Sequence, residues 1–227
     1  AVGYACTVNL QDVMRRVYQD QDDVYYYITV MNENYQQPAM PQGVEDGIIK
    51  GMYLLEEAKG DFKHRVQLLG SGTILREVRA AVDNLAKMGV GADVWSVTSF
   101  NELRRDGLAG DRWNRLHPTE EPRKSYVEQC LEGREGPVVA STDYMKLFAD
   151  QIRQWVPSRE YQVLGTDGFG RSDSRAKLRD FFEVDRRWVA VAALQALADR
   201  GAIERTVVAN AITEFGIDPE KRNPLDC

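Results

Sequence analysis

The sequence predicts a three-layer α/β/α fold: a mostly parallel, five-stranded sheet between helices, followed by a helical tail. Three observations carry this. Short runs rich in Val, Leu and aromatic residues alternate along most of the chain with segments whose apolar residues recur every three or four positions; such alternation builds βαβ units with parallel strands. Two strand-to-helix junctions are glycine-rich, Leu68 to Thr73 (LLGSGT) and Val163 to Arg175 (VLGTDGFGRSDSR), as at the carboxyl edge of an open α/β sheet. From Trp188 onward only helical periodicity remains.

Taken in order, Val2 to Tyr18 spaces Val2, Cys6, Leu10, Val13, Met14 and Val17 as an amphipathic helix. Asp23 to Met31 (DVYYYITVM) is aromatic and β-branched, the composition of a strand buried on both faces. A polar loop with two prolines, Asn32 to Gly43, precedes a short helix predicted over Val44 to Ala58. Arg65 to Leu69 is the second strand; the helix after it shares one face among Ile74, Leu75, Val78, Val82 and Leu85 and stops at Gly89 and Gly91. Ala92 to Val97 supplies a third strand, Val138 to Ala140 a fourth and Tyr161 to Leu164 a fifth. Thr98 to Gly136 should fold as two short helices rather than a loop. Asp143 to Trp155 reads as a helix with Met145, Phe148, Ile152 and Trp155 on one side. In the tail, Trp188 to Ala198 is apolar nearly all round and so buried, while Val207, Val208, Ala211, Ile212 and Phe215 form a stripe ended by Gly216.

At 227 residues, 43% hydrophobic and 28% charged, the chain can bury one sizeable core. A net charge of −6 argues against nucleic-acid binding, which needs concentrated Lys and Arg. No apolar run reaches the roughly 18 to 20 residues that cross a bilayer, and no secretion-signal pattern opens the chain; the expected compartment is the cytoplasm. Cys6, Cys130 and Cys227 are widely spaced and read as incidental thiols. His64 and His117 are the only histidines and form no metal-binding pair, so no metal ligand is assigned.

Two turns could hold an anion. Gly70, Ser71, Gly72 and Thr73 allow close backbone approach at a helix start, yet they match neither GxGxxG nor GxxxxGK[ST], and tight strand-to-helix packing explains them as well. In the second turn Gly165, Gly168 and Gly170 admit positive φ, Asp167 and Ser172 offer polar groups, Ser172 or Asp173 suits an N-cap, and Phe169 is expected to insert under a neighbour. A shape role is the expectation there also, because an anion would meet carboxylates. There is no GxSxG elbow, and no catalytic residue is assigned.

Five segments carry a family resemblance: TVMNENYQQPAMPQG (Thr29 to Gly43), VQLLGSGTILREV (Val66 to Val78), VWSVTSFNELRRDG (Val94 to Gly107), ASTDYMKLFADQIRQWVP (Ala140 to Pro157) and VLGTDGFGRSDSR. Together and in this order they resemble the C-terminal portion of the decarboxylating first component of the homodimeric bacterial pyruvate dehydrogenase complex. The resemblance implies a transketolase-like C-terminal domain over residues 21–227, with residues 1–20 the last helix of a preceding pyrimidine-binding domain, and so a truncated chain. It also implies thiamine-diphosphate-dependent decarboxylation of pyruvate and reductive acetylation of lipoyl groups by the whole enzyme. Thiamine diphosphate and magnesium would be held by other domains; the Gly-Asp-Gly that opens their motif is absent, Gly110-Asp111-Arg112 being its nearest imitation. The implied partners are the other domains of the enzyme, its homodimer mate and the lipoyl acetyltransferase component. On this reading the two glycine turns shape a domain contact, interfaces being rich in Tyr, Trp and Phe, and the exposed first helix makes the isolated piece self-associate. Two alternatives stay open: a free-standing anion- or nucleotide-binding regulatory domain, and a fragment of transketolase itself, against which NENYQQPAMP and TSFNELRRDG speak.

Overall fold

A computed structural model describes residues 2–32, 34–158 and 160–226; Cys227 lies outside them. Five strands form one sheet: β1 (Met52–Glu56), β2 (His64–Ser71), β3 (Val90–Val97), β4 (Val138–Ser141) and β5 (Tyr161–Leu164). Their order is β1-β3-β2-β4-β5, parallel throughout except for β1, which runs antiparallel to β3.

Side chains alternate along the strands as the pleat requires. Val66 and Leu68 of β2 and Val90, Ala92 and Val94 of β3 face one layer, made by α1 (Gly3–Met14), α3 (Leu75–Lys87), α8 (Arg186–Asp199) and α9 (Arg205–Glu214). Leu69, Trp95, Val97 and Ala140 face the other, made by α4 (Phe100–Leu116), α5 (Tyr126–Leu131) and α6 (Lys146–Asp150). The expected three-layer architecture and buried α8 are present. Gly216, at φ 62, ends α9.

The membership of the sheet differs from the sequence reading at its edge. Asp23 to Met31 joins no strand, and Tyr25 and Tyr27 are 91% and 88% exposed; β1 and β5 each keep an open edge, but the run pairs with neither, and Tyr26 instead donates to Asp12 of α1. The fifth strand is instead β1, inside the helix predicted from Val44 to Ala58. That helix ends early: α2 (Glu45–Lys50) stops at Gly51, whose φ is 111 and whose missing side chain lets the Ser99 carbonyl oxygen approach a Cβ position to 2.7 Å.

The second layer also departs in detail. One of the two short helices expected between β3 and β4 is α4, 17 residues long, and it keeps Gly107 because a Cβ there would overlap the Trp155 ring. The helix expected over Asp143 to Trp155 divides into α6 and a 3₁₀ turn, Arg153–Trp155; Ile152 and Trp155 are buried, whereas Met145 and Phe148 remain 48% and 38% exposed. Gly89 ends α3 at φ 74, but Gly91 lies within β3 against the Phe62 ring.

Candidate functional site

The strand order fixes where a ligand would enter an open α/β sheet. The crossover from β2 packs α3 on one face, and the crossover from β4 packs α6 on the other, so the loops leaving these adjacent strands diverge. The Gly70–Thr73 turn borders this crevice directly, and the Gly165–Ser172 turn lies one strand away, after β5.

The first turn already holds a carboxylate of its own chain. Gly72 adopts φ +57, and its missing Cβ leaves room for Asp143, whose Oδ1 lies 2.8 Å from that position. The Thr73 hydroxyl donates to Asp143 Oδ2 at 3.5 Å, and Ser71 Oγ donates to Thr142 Oγ1 at 2.8 Å. Gly70 is required by packing: a Cβ would come within 2.9 Å of the Leu75 backbone. Burial pushes the Asp143 carboxyl above the usual range, against its own backbone N–H, Thr73 and the charge of Arg179. Its Oδ1 and the neighbouring Ser141 Oγ are buried without hydrogen-bond partners. A phosphate in this turn would displace or repel that group, so these residues do not fit a diphosphate.

Raised in the folded state, Asp143 makes the native chain bind a proton more readily than the unfolded one. Stability is then lost as pH rises from the ordinary Asp range through the folded-state value. We expect Asp143→Asn to remove this loss, gaining about 1 kcal/mol on the wild type between acidic and mildly basic pH, within the range for an unpaired buried polar group. Urea unfolding of both proteins at the two pH values checks it; equal pH slopes would contradict it.

The second turn is anchored by its backbone. Gly165 is packed so closely that a Cβ would sit 2.7 Å from the Tyr144 carbonyl oxygen, Asp167 Oδ1 accepts the Lys146 N–H at 2.9 Å, and Gly168, at φ +98, lies against the Pro224 carbonyl. Gly170 has open space around it and Ser172 is exposed. Two expectations are corrected. Phe169 does not insert under a neighbour but stands 80% exposed, its backbone held outward between these anchors. Neither Ser172 nor Asp173 is the cap of α7 (Arg175–Phe181): Ser174 occupies that position without a side-chain bond, because Asp173 Oδ1 accepts the Ser174 N–H instead.

Each of the five segments brings some of its residues to this carboxyl edge. Asn32 Oδ1 accepts from Arg175 at 2.6 Å, and Arg76 stacks over Tyr35 at 5.2 Å. Thr98 donates to the Ile48 carbonyl at 2.7 Å, and Ser99 caps α4 through the Glu102 N–H. Tyr144, Met145, Leu147 and Phe148, all partly exposed, stand beside the Gly165 turn, with Tyr144 and Phe148 in ring contact at 5.3 Å. Sequence reasoning did not single out Asp143; the available signal is a Ser-Thr-Asp run directly after an apolar strand.

The remaining chemistry-bearing residues are dispersed. His117 stacks on Trp113 at 4.4 Å, while His64 begins β2 at the opposite edge. Cys6 and Cys130 are free and half-buried, and burial pushes the Cys130 thiol up. Among the described residues no three His, Cys, Asp or Glu stand together as metal ligands, and no helix is long and apolar enough to cross a membrane.

Comparison with known proteins places this geometry. Residues 51–185 match the family model of the transketolase-like TK C-terminal domain, and residues 2–38 match the middle domain of the pyruvate dehydrogenase E1 component. The chain is 71% identical over 225 residues to the pyruvate dehydrogenase E1 component of Pseudomonas aeruginosa, covering 99% of this chain and 26% of the relative. Against that of Escherichia coli K12 it is 58% identical over 226 residues, covering 99% and 25%. It thus spans about a quarter of the length of these relatives. Among solved structures, transketolase from Pichia stipitis in complex with sedoheptulose 7-phosphate is 18% identical, with a TM-score of 0.48 over 73% of this chain and 20% of that one. The chain belongs to the transketolase-like TK C-terminal domain family, in the form found in pyruvate dehydrogenase E1 components.

Proposed function

We propose that this chain serves as the C-terminal scaffold of a pyruvate dehydrogenase E1 component and uses the carboxyl edge of its sheet to contact the rest of the enzyme. That each of the five segments brings residues to that edge carries the reading. Large apolar side chains left in solvent in a patch mark an interaction surface, and Leu147, 68% exposed, and Phe169, 80% exposed, belong to such a patch. The unpaired aromatic run from Asp23 to Met31 lies within the segment that matches the E1 middle domain, so residues 1–20 and the run after them would complete that preceding domain and find strand partners there.

On this reading the chain performs no chemistry alone. Pyruvate decarboxylation and acetyl transfer to lipoyl groups on the acetyltransferase component belong to the whole cytoplasmic enzyme. Thiamine diphosphate, which supplies the carbanion chemistry, and magnesium would be held by other domains, since the Gly70–Thr73 turn is filled by Asp143. The contacts made by the patch include the homodimer mate.

The test is the double substitution Leu147→Ser with Phe169→Ser in the full-length enzyme. Both side chains are exposed, so the local fold should persist. Sedimentation should show dimer dissociation raised at least roughly tenfold, as for loss of apolar interface anchors. An unchanged dimer with unchanged thermal unfolding would overturn the proposal.

A further inference from the structure

A cleft of about 650 Å3 lies at the other, amino edge of the sheet, where Gln67 and Pro157 are among its lining residues. That size suits a small molecule. Its floor is a buried polar network that packing alone does not require. Asp93, 2% exposed, uses both carboxylate oxygens. Oδ1 accepts the Ala58 N–H at 2.8 Å and faces Arg65 at 3.8 Å; Oδ2 accepts Gln67 Nε2 at 3.0 Å and faces Arg134 at 3.5 Å. Gln67 Oε1 in turn accepts the Trp95 indole N–H at 2.8 Å, and the Arg134 guanidinium lies over the Trp95 ring at 5.6 Å. Two guanidinium groups are thereby held in fixed positions at the cleft, Arg134 gaining a further tie to Glu57 at 2.6 Å.

The rim adds mobile positive charge. Lys63 and Arg200 are exposed, line the cleft, and meet no carboxylate among the described residues. Glu135 and Glu160 are the acidic residues of the lining, and Glu160 accepts a hydrogen bond from Ser158 at 3.1 Å. Of the four Lys and Arg side chains of the lining, Arg65 and Arg134 are held against Asp93 and Glu57, whereas Lys63 and Arg200 keep their charge free at the rim. Opposing them, the carbonyl end of α8 points to this edge and lowers the local potential. The cations stand at two levels, Lys63 and Arg200 at the rim and Arg65 and Arg134 below, so an anion with several oxyanion groups could engage both together.

We infer that this cleft binds a small multivalent oxyanion, supplied by a phosphate ester or by an organic polyacid, with Arg65 and Arg134 at the floor and Lys63 and Arg200 closing from the rim. The inference is independent of the domain-contact reading, which concerns the opposite edge. It is tested by calorimetric titration of the full chain with inorganic tripolyphosphate and, separately, with citrate. One-to-one saturable binding by at least one probe is expected, and the stronger arm identifies the source of the oxyanion. Lys63→Ala combined with Arg200→Ala should weaken it roughly tenfold or more, as expected for loss of charge-assisted contacts, without changing the melting temperature, and added salt should weaken it further. Absence of saturable binding by either probe, or binding unaltered by the double variant, overturns the inference.

Discussion

Gly136→Ala will destabilise the fold by roughly 3 to 5 kcal/mol, the sum of overpacking and of a side chain forced to positive φ. Gly136 sits at φ +92 in the loop entering β4, where a Cβ would fall inside the Arg65 carbonyl oxygen and 2.5 Å from its carbon. Both partners are backbone, so no rotamer change relieves the overlap; the loop or β2 itself must move. The next residue, Pro137, accepts the Gln67 N–H at 2.9 Å, and β4 pairs with β2 from Val138 onward. Displacing the loop therefore pulls apart the strands at the centre of the sheet. Gly133→Ala is the control, with φ +74 but nothing within 4 Å; strain alone should cost it about 1 kcal/mol. Urea unfolding separates the two, and equal losses would refute the backbone-contact argument.

The contrast between these glycines shows what the sequence makes legible. The parallel core was readable because β2, β3 and β4 are apolar runs bounded by glycine turns, and because α3 repeats its apolar residues at helical spacing. The edge was not. MYLLE and DVYYYITVM both have strand composition, and which one joins the sheet depends on a partner: β1 pairs with β3 because Gly51 turns the chain back beside Ser99. Likewise, Gly107 looks like a helix stop until Trp155, far along the chain, is seen filling the space beside it. At the candidate site the glycines of both turns were visible, but their occupant was not. Asp143 enters the first turn from the end of β4, a proximity created only by sheet pairing. Composition suggested a buried Phe169; backbone anchors on either side hold it in solvent.

Pairing across the layers also explains why Glu77 should be the most consequential charge in the chain. It lies in the first turn of α3, 4% exposed, and three helices meet around it. Arg186, the first residue of α8, reaches Oε2 at 2.9 Å and Oε1 at 3.3 Å, and Arg179 of α7 lies 3.5 Å from Oε1. Burial alone would raise the Glu77 carboxyl, but hydrogen bonds from Arg186 and the charges of Arg186 and Arg179 outweigh it and hold the group below the usual range. A lowered folded-state value means that the contribution is present above the ordinary glutamate range and is lost as pH falls through the folded value. Removing one partner of a buried pair costs about 3 to 5 kcal/mol when the other is left stranded. Here Arg186 is 46% exposed and can turn to water, so Glu77→Ala should cost less, about 2 to 3 kcal/mol at neutral pH. Glu77→Gln, which keeps the shape and one acceptor but not the charge, should fall between alanine and wild type. Both deficits should shrink in acid, because the wild type then loses the same charge. Urea unfolding across that range decides it: a deficit independent of pH would assign the effect to packing between α3 and α8 rather than to the ion cluster.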